Sequence, residues 1–232
     1  MTAKITLYTF PPSQNAVRPE IALLEKGLAF KKVAVDLLQG QQKQPPLSEI
    51  TPRQQVPTLV YETDDDQIVI YESIAALYFI EDMHPDPPLM PPISRPRQRG
   101  RAHMRMAEFQ AKLDHKNIFG SVAFGRKGRD ELGSRFDDLV AEIPRWNDYL
   151  TGRDYLAADA FSLADIAVFP LLMHFEALGY DYARHTPALA AYLQRCKDRP
   201  SVRKSGWLEA FAGLVKSLAP TPVLAEATRP GS

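Results

Sequence analysis

The sequence predicts an α/β unit followed by an all-α unit, and three observations predict it. Residues 1–84 alternate strand-like and helix-like segments, a proline-rich break follows, and only helical periodicity recurs beyond it. Lys4 to Thr9 alternates in polarity and carries β-favouring types, which reads as a strand. Pro11-Pro12 stops it, and Ser13 stands at a helix N-cap position. Ala16, Val17, Ile21, Leu24 and Leu28 form the stripe of that helix, and Gly27 suits its end. Pro19 removes one of its hydrogen bonds and predicts a local bend. Lys31 to Val35 reads as a second strand. The polar stretch from Gln39 to Gln55, with Pro45, Pro46 and Pro52, reads as loop with a short helical turn. Val56 to Val60 and Ile68 to Ile70 are two strands joined by the turn Asp64-Asp65-Asp66. Glu72-Ser73 then opens a helix with Ile74, Leu77, Tyr78 and Phe79 or Ile80 on its apolar side.

Residues 85–94, rich in proline from Pro85 to Pro92, read as a linker. Residues 95–219 read as an all-helical domain, and residues 220–232 as a loosely held C-terminal tail. One helix start is well marked. Phe161-Ser162-Leu163-Ala164-Asp165-Ile166 has Ser at N-cap, an acid three residues later, and apolar residues at the staple positions. The helix after it, Ile166 to Leu178, is apolar nearly all round and should be buried.

Composition narrows the function. Hydrophobic residues are 45% and charged residues 24%, the profile of a globular domain. Basic and acidic residues balance at 28 each, so neither nucleic acid nor a membrane surface is an expected partner. The arginines at 95, 97, 99, 101 and 105 are expected to form a solvated helix start or a subunit contact. No secretory leader is visible and no run of ~20 apolar residues is present. The single cysteine, Cys196, excludes an intrachain disulfide, fits a reducing cytoplasm, and is expected to be buried. No Cys-x-x-Cys, His-Glu-x-x-His or Gly-rich phosphate loop occurs, and the five histidines lack ligand spacing, so no metal is expected.

Four segments resemble the cytosolic glutathione transferases: Leu7-Tyr8 with Ser13 five residues on, Gln55-Val56-Pro57, Glu72-Ser73, and Phe161 to Asp165. The spacing from Gly40-Gln41-Gln42 to Val56-Pro57 is similar to the theta and phi branches. The C-terminal half, through Val168-Phe169-Pro170 and Arg199-Pro200-Ser201, is similar to the rho class. The resemblance covers nearly the whole chain. It implies a thioredoxin-like N-terminal domain, an all-helical C-terminal domain, glutathione as co-substrate on the first, a small-molecule electrophile between the two, and a homodimer.

The resemblance also assigns residues. Ser13, at a helix end that favours negative charge, would donate to the glutathione thiolate; as an alternative it is only a cap, and Tyr8 is the rival donor. Val56-Pro57 would be cis and present the Val56 backbone to the cysteinyl part; otherwise it is an ordinary trans proline. Glu72 suits the γ-glutamyl ammonium and Ser73 its carboxylate, unless both merely cap the helix. Gln42, Lys43 and Gln55 would border the glycine end or lie on a solvated surface. Gln42 stands where theta and phi members often have histidine. Met106, Phe109, Gln110, Leu113, Phe119, Trp207 and Phe211 are candidates for the electrophile pocket, with core packing as the alternative.

The expected chemistry is attack of the bound thiolate on a carbon electrophile or a peroxide, in a detoxifying transferase. A zeta-type isomerase is a rival, but its Ser-Ser-Cys signature is replaced by Ser13-Gln14-Asn15. A catalytically weak binding or scaffold relative is the other rival. Ser13, Val56-Pro57 and Glu72-Ser73 together weigh against it.

Overall fold

The computed structural model describes residues 3–225. In chain order these form β1 (Lys4–Thr9), α1 (Gln14–Glu25), β2 (Lys31–Ala34), α2 (Leu47–Ile50), β3 (Thr58–Glu62), β4 (Gln67–Tyr71) and α3 (Ser73–Met83). There follow α4 (Pro96–Glu108), α5 (Phe119–Ala123), α6 (Arg129–Leu132), α7 (Ser134–Asp148), α8 (Leu163–Ala177), α9 (Tyr182–His185), α10 (Pro187–Lys197), α11 (Pro200–Ser205) and α12 (Trp207–Leu218). Two compact units result. The first is the chain up to Leu89 with Pro200–Phe211, and the second is Met90–Arg199 with the residues from Ala212 onward.

The first unit is a four-stranded mixed sheet in the order β2-β1-β3-β4. β1 runs parallel to β2 and antiparallel to β3, with Leu7 opposite Leu59 and Ile5 opposite Tyr61. Alternation therefore collects these four apolar side chains on one face, where Leu7 and Leu59 are fully buried. Helices α1 and α3 pack together, and the Tyr61 ring meets Phe79 of α3 edge-on at 5.2 Å. This is the thioredoxin-like arrangement. Helix α1 runs through Pro19 and ends in a Schellman turn: Gly27 takes φ 65°, and Leu28 N–H reaches Leu23 C=O at 3.0 Å.

Two features depart from the expected boundaries. Residues 85–89 belong with the first unit, because the buried Lys26 ammonium pairs with Glu81 and donates to Pro87 O at 2.7 Å. Glu81 in turn accepts from Leu89 N–H at 3.0 Å. Residues 200–211, expected in the helical domain, also pack into the first unit. Ser201 Oγ bonds Glu25, Ser205 O accepts from Lys32 at 3.0 Å, and Trp207 Nε1 donates to Pro12 O at 3.3 Å. These partners lie far away in sequence, so helical periodicity could not reveal them.

In the second unit α4 continues into a π-helical turn, Phe109–Leu113, and α4 packs on α8. Every residue from Leu163 to Phe175 of α8 is buried, in line with its all-round apolar pattern. The Asp165 carboxylate, 0% exposed, accepts from Ser162 N–H at 2.9 Å, Ser162 Oγ at 2.8 Å and Leu156 N–H at 2.9 Å. Burial pushes this carboxyl up to about 6, against the pull of those donors. Arg99, Arg101 and Arg105 are engaged within this unit: Arg99 bonds Pro91 O, Arg101 bonds Ala157 O, and Arg105 pairs with Glu108 and lies over the Tyr149 ring. The start of the tail is docked rather than loose. Leu224 is fully buried and its N–H meets Leu178 C=O at 2.9 Å. Gly179 at φ +91° admits the chain there, since a Cβ would sit 2.9 Å from Pro222 Cβ. Residues 226–232 of the expected tail lie outside the described residues.

Candidate functional site

The amino end of α1 is the first part of the site. Ser13 has extended backbone (φ −74°, ψ 124°), and its Oγ accepts from Ala16 N–H at 3.3 Å. Capping uses a lone pair of that oxygen and leaves its proton for another acceptor. The two readings of Ser13 are therefore compatible. No acidic side chain lies in the first turn of α1, so its positive pole is not neutralised there. Gln14, at the first helical position, has a buried Oε1 without a hydrogen-bond partner among the described residues.

The amino end of α3 is the second part. Glu72, its N-cap, takes φ 71° and ψ 115°, a conformation that L-residues rarely adopt, and its side chain makes no capping bond. Its side chain is exposed, while Ser73 is buried. A strained backbone that presents a carboxylate beside a helix N-terminus suits a zwitterion: the acid meets an ammonium and the N–H groups meet a carboxylate.

Strand β3 supplies the third part. The Val56–Pro57 peptide is cis. Thr58 Oγ1 holds Gln55 C=O at 2.8 Å, and Val56 makes no backbone hydrogen bond among the described residues. Its N–H and C=O are thus available to an extended peptide, as at a sheet edge.

Other expected residues fall out variously. Gln42, in the 3-10 turn Gln41–Lys43, is half-buried, and its Oε1 has no hydrogen-bond partner among the described residues. Lys43 and Gln55 are exposed. Tyr8 is half-buried in a cleft lined also by Val33, Val35, Gln44, Pro46 and Leu47. Met106, Phe109, Leu113 and Phe119 are at most 3% exposed and serve as core, whereas Gln110 is exposed. Trp207 and Phe211, the last two candidates for that pocket, pack apart from these four. They are buried, stack on each other at 5.3 Å, and belong to the sheet unit, where Trp207 pins Pro12 next to Ser13.

Arg18 escaped the sequence reading. It is 1% exposed, and its Nη1 donates to Asn15 Oδ1 at 2.6 Å and to Ser73 Oγ at 3.0 Å. This one nitrogen joins the first turn of α1 to the first residue of α3. The signal was present: Arg18 interrupts the apolar stripe three residues before Ile21, where a charge has no place unless it is paired. Through Arg18 the amino end of α1, suited to an anion, is tied to the amino end of α3, suited to a zwitterion.

A model of the glutathione S-transferase N-terminal domain matches residues 3–82, and one of the C-terminal domain matches residues 123–200. The chain is 38% identical over 217 residues to a maleylacetoacetate isomerase of Emericella nidulans, covering 88% of this chain and 92% of that one. It is 28% identical over 225 residues to glutathione S-transferase A of Pleuronectes platessa, covering 92% and 97%. The fold is that of a glutathione S-transferase from the clam Laternula elliptica, with TM-score 0.78 at 24% identity over 97% of this chain and 100% of the other. Two domain models spanning most of the sequence, on a thioredoxin-like sheet followed by helices, make this chain a cytosolic glutathione transferase, an enzyme whose co-substrate is glutathione.

Proposed function

We propose that glutathione lies on the sheet unit with its sulfur at the amino end of α1, its cysteinyl amide on Val56 and its γ-glutamyl end on Glu72 and Ser73. Gln42, Lys43 and Gln55 border its glycine end. Pro57 keeps Val56 turned toward the peptide. The observation that carries this reading is the Ser13 oxygen, which caps α1 yet keeps its proton to donate. Donors and an unneutralised helix pole stabilise a thiolate over a thiol, and the thiolate then attacks the electrophile. Ser13→Ala is expected to raise the pKa of bound glutathione by about one unit, or about 1.4 kcal/mol. The pH–rate profile moves up by the same amount, while the lost cap on Ala16 N–H costs about 1 kcal/mol and lowers the melting temperature by roughly 2–4 °C. An unmoved profile would transfer the role to Tyr8 or to the backbone.

The substrate is a small electrophile or a peroxide, and the task is detoxification. Cys196, free and buried, supports a cytoplasmic setting. Strand β4 is a sheet edge that exposes Ile68 and Tyr71, which supports a homodimer. A second reading is favoured by the 38% identity to the Emericella nidulans isomerase. A thiolate that adds to an activated double bond and leaves again isomerises the substrate and regenerates glutathione. Stoichiometry separates the two with an unsaturated diketo acid as substrate. Transfer consumes one glutathione per turnover, whereas isomerisation proceeds with glutathione well below the substrate concentration and leaves its level unchanged.

A further inference from the structure

The contacts of Arg18 have a consequence for selectivity. A serine hydroxyl has one proton and two lone pairs. One lone pair of Ser73 Oγ is taken by Arg18 Nη1 at 3.0 Å, and no other bond to this hydroxyl occurs among the described residues. The proton of Ser73 is therefore left to donate, and a guanidinium on the same oxygen strengthens it as a donor. The same Nη1 engages Asn15 Oδ1 at 2.6 Å, so the exposed amide of Asn15 is held with its NH2 group directed elsewhere. Burial of a guanidinium to 1% exposure costs several kcal/mol of solvation, as a rule not recovered in stability over an apolar side chain. A role in the site gives that cost a reason.

We propose that Arg18 is a positioning residue that makes Ser73 a dedicated hydrogen-bond donor, so that the amino end of α3 selects ligands bearing a free α-carboxylate on the γ-glutamyl group. The proposal rests on the reading that Ser73 meets that carboxylate. It goes beyond it by placing selectivity on a residue that does not itself touch the ligand. A competing role is that of a pin holding α1 to α3, which would support every ligand alike.

The test compares two ligands, glutathione and γ-aminobutyryl-cysteinyl-glycine, which lacks only that carboxylate. Both are titrated calorimetrically into the wild-type protein, Arg18→Gln, Arg18→Lys, Ser73→Ala and the Arg18→Gln/Ser73→Ala double variant. The wild type is expected to prefer glutathione by at least about tenfold, the worth of a hydrogen bond to a charged group. Arg18→Gln should lower that preference about tenfold with little change for the shorter ligand, and adding Ser73→Ala should lower it no further. Where Arg18→Gln does not fold, Arg18→Lys is judged by the same ratio, since lysine keeps the charge but not the planar fork. Equal weakening of both ligands in the Arg18 variants overturns the proposal in favour of the pin. A Ser73→Ala protein that keeps its preference overturns the Ser73 assignment itself.

Discussion

Asp165→Ala is expected to lower the unfolding free energy by about 3–5 kcal/mol, the range for stripping the partner from a buried charged network. The carboxylate is fully buried and holds the N–H groups of Leu156 and Ser162 and the Ser162 hydroxyl. Without it each stranded donor costs about 1–3 kcal/mol, and the amino end of α8 loses its compensating charge. Asp165→Asn keeps the shape and one acceptor, and should cost less. The pH dependence has a definite sign. Burial raises the folded carboxyl to about 6 from its ordinary 3.8, so between these values the native state binds the proton more tightly than the unfolded chain. The stability this group contributes is then full below the lower value and is lost as pH rises through the upper one. Urea melts of wild type and Asp165→Asn should show the wild-type advantage shrinking by about 2 kcal/mol from pH ~4 to pH ~6.5. A difference flat with pH would mean that the three donors keep the carboxylate ionised throughout.

Glu72→Gly is expected to make the protein more stable and worse at its function. At φ 71° and ψ 115° the Glu72 backbone carries strain of about 1–3 kcal/mol, which glycine does not incur. Glycine adds roughly 0.5–1 kcal/mol of unfolded-state entropy. The difference is a net gain of about 1 kcal/mol, or some 4 °C in melting temperature for a unit of this size. The side chain makes no capping bond, so its removal strands no helix donor. The loss of its carboxylate from the γ-glutamyl ammonium should weaken glutathione by about 10- to 100-fold, as expected for a charge-assisted hydrogen bond. A thermal melt and a calorimetric titration read the two effects separately. A less stable variant with unchanged affinity would leave Glu72 as a helix start only.

Strain at Glu72 shows where reading a sequence stops. The position and type of the residue were legible, because a helix beginning at Ser73 is a local pattern. Its positive φ was not, because that angle is imposed by the path from β4 into α3. Ser13 was legible in the same way. An N-cap is defined by residues within one turn, and its bond to Ala16 spans three positions. The Ser162–Asp165 network was equally local.

The electrophile pocket was the least legible part of the site. Met106, Phe109, Leu113 and Phe119 have the composition of an adaptable pocket, but core and pocket draw on the same side chains, and the fold put these in the core. Trp207 and Phe211 were placed with the helices that precede them, yet they pack in the sheet unit through contacts nearly two hundred positions away.

By itself, then, the sequence determined whatever depends on neighbours within a turn or a strand: the strand at β1, the caps of α1 and α8, the buried length of α8, and the motifs that mark the family. Only tertiary structure decided that α11 and the start of α12 join the first unit, that Leu224 docks beside Gly179, and that Arg18 meets Ser73 across 55 positions. The physical reason is that hydrogen bonding and side-chain periodicity act along the chain. Burial and charge pairing act through space, and are settled only when distant segments compete for the same surface.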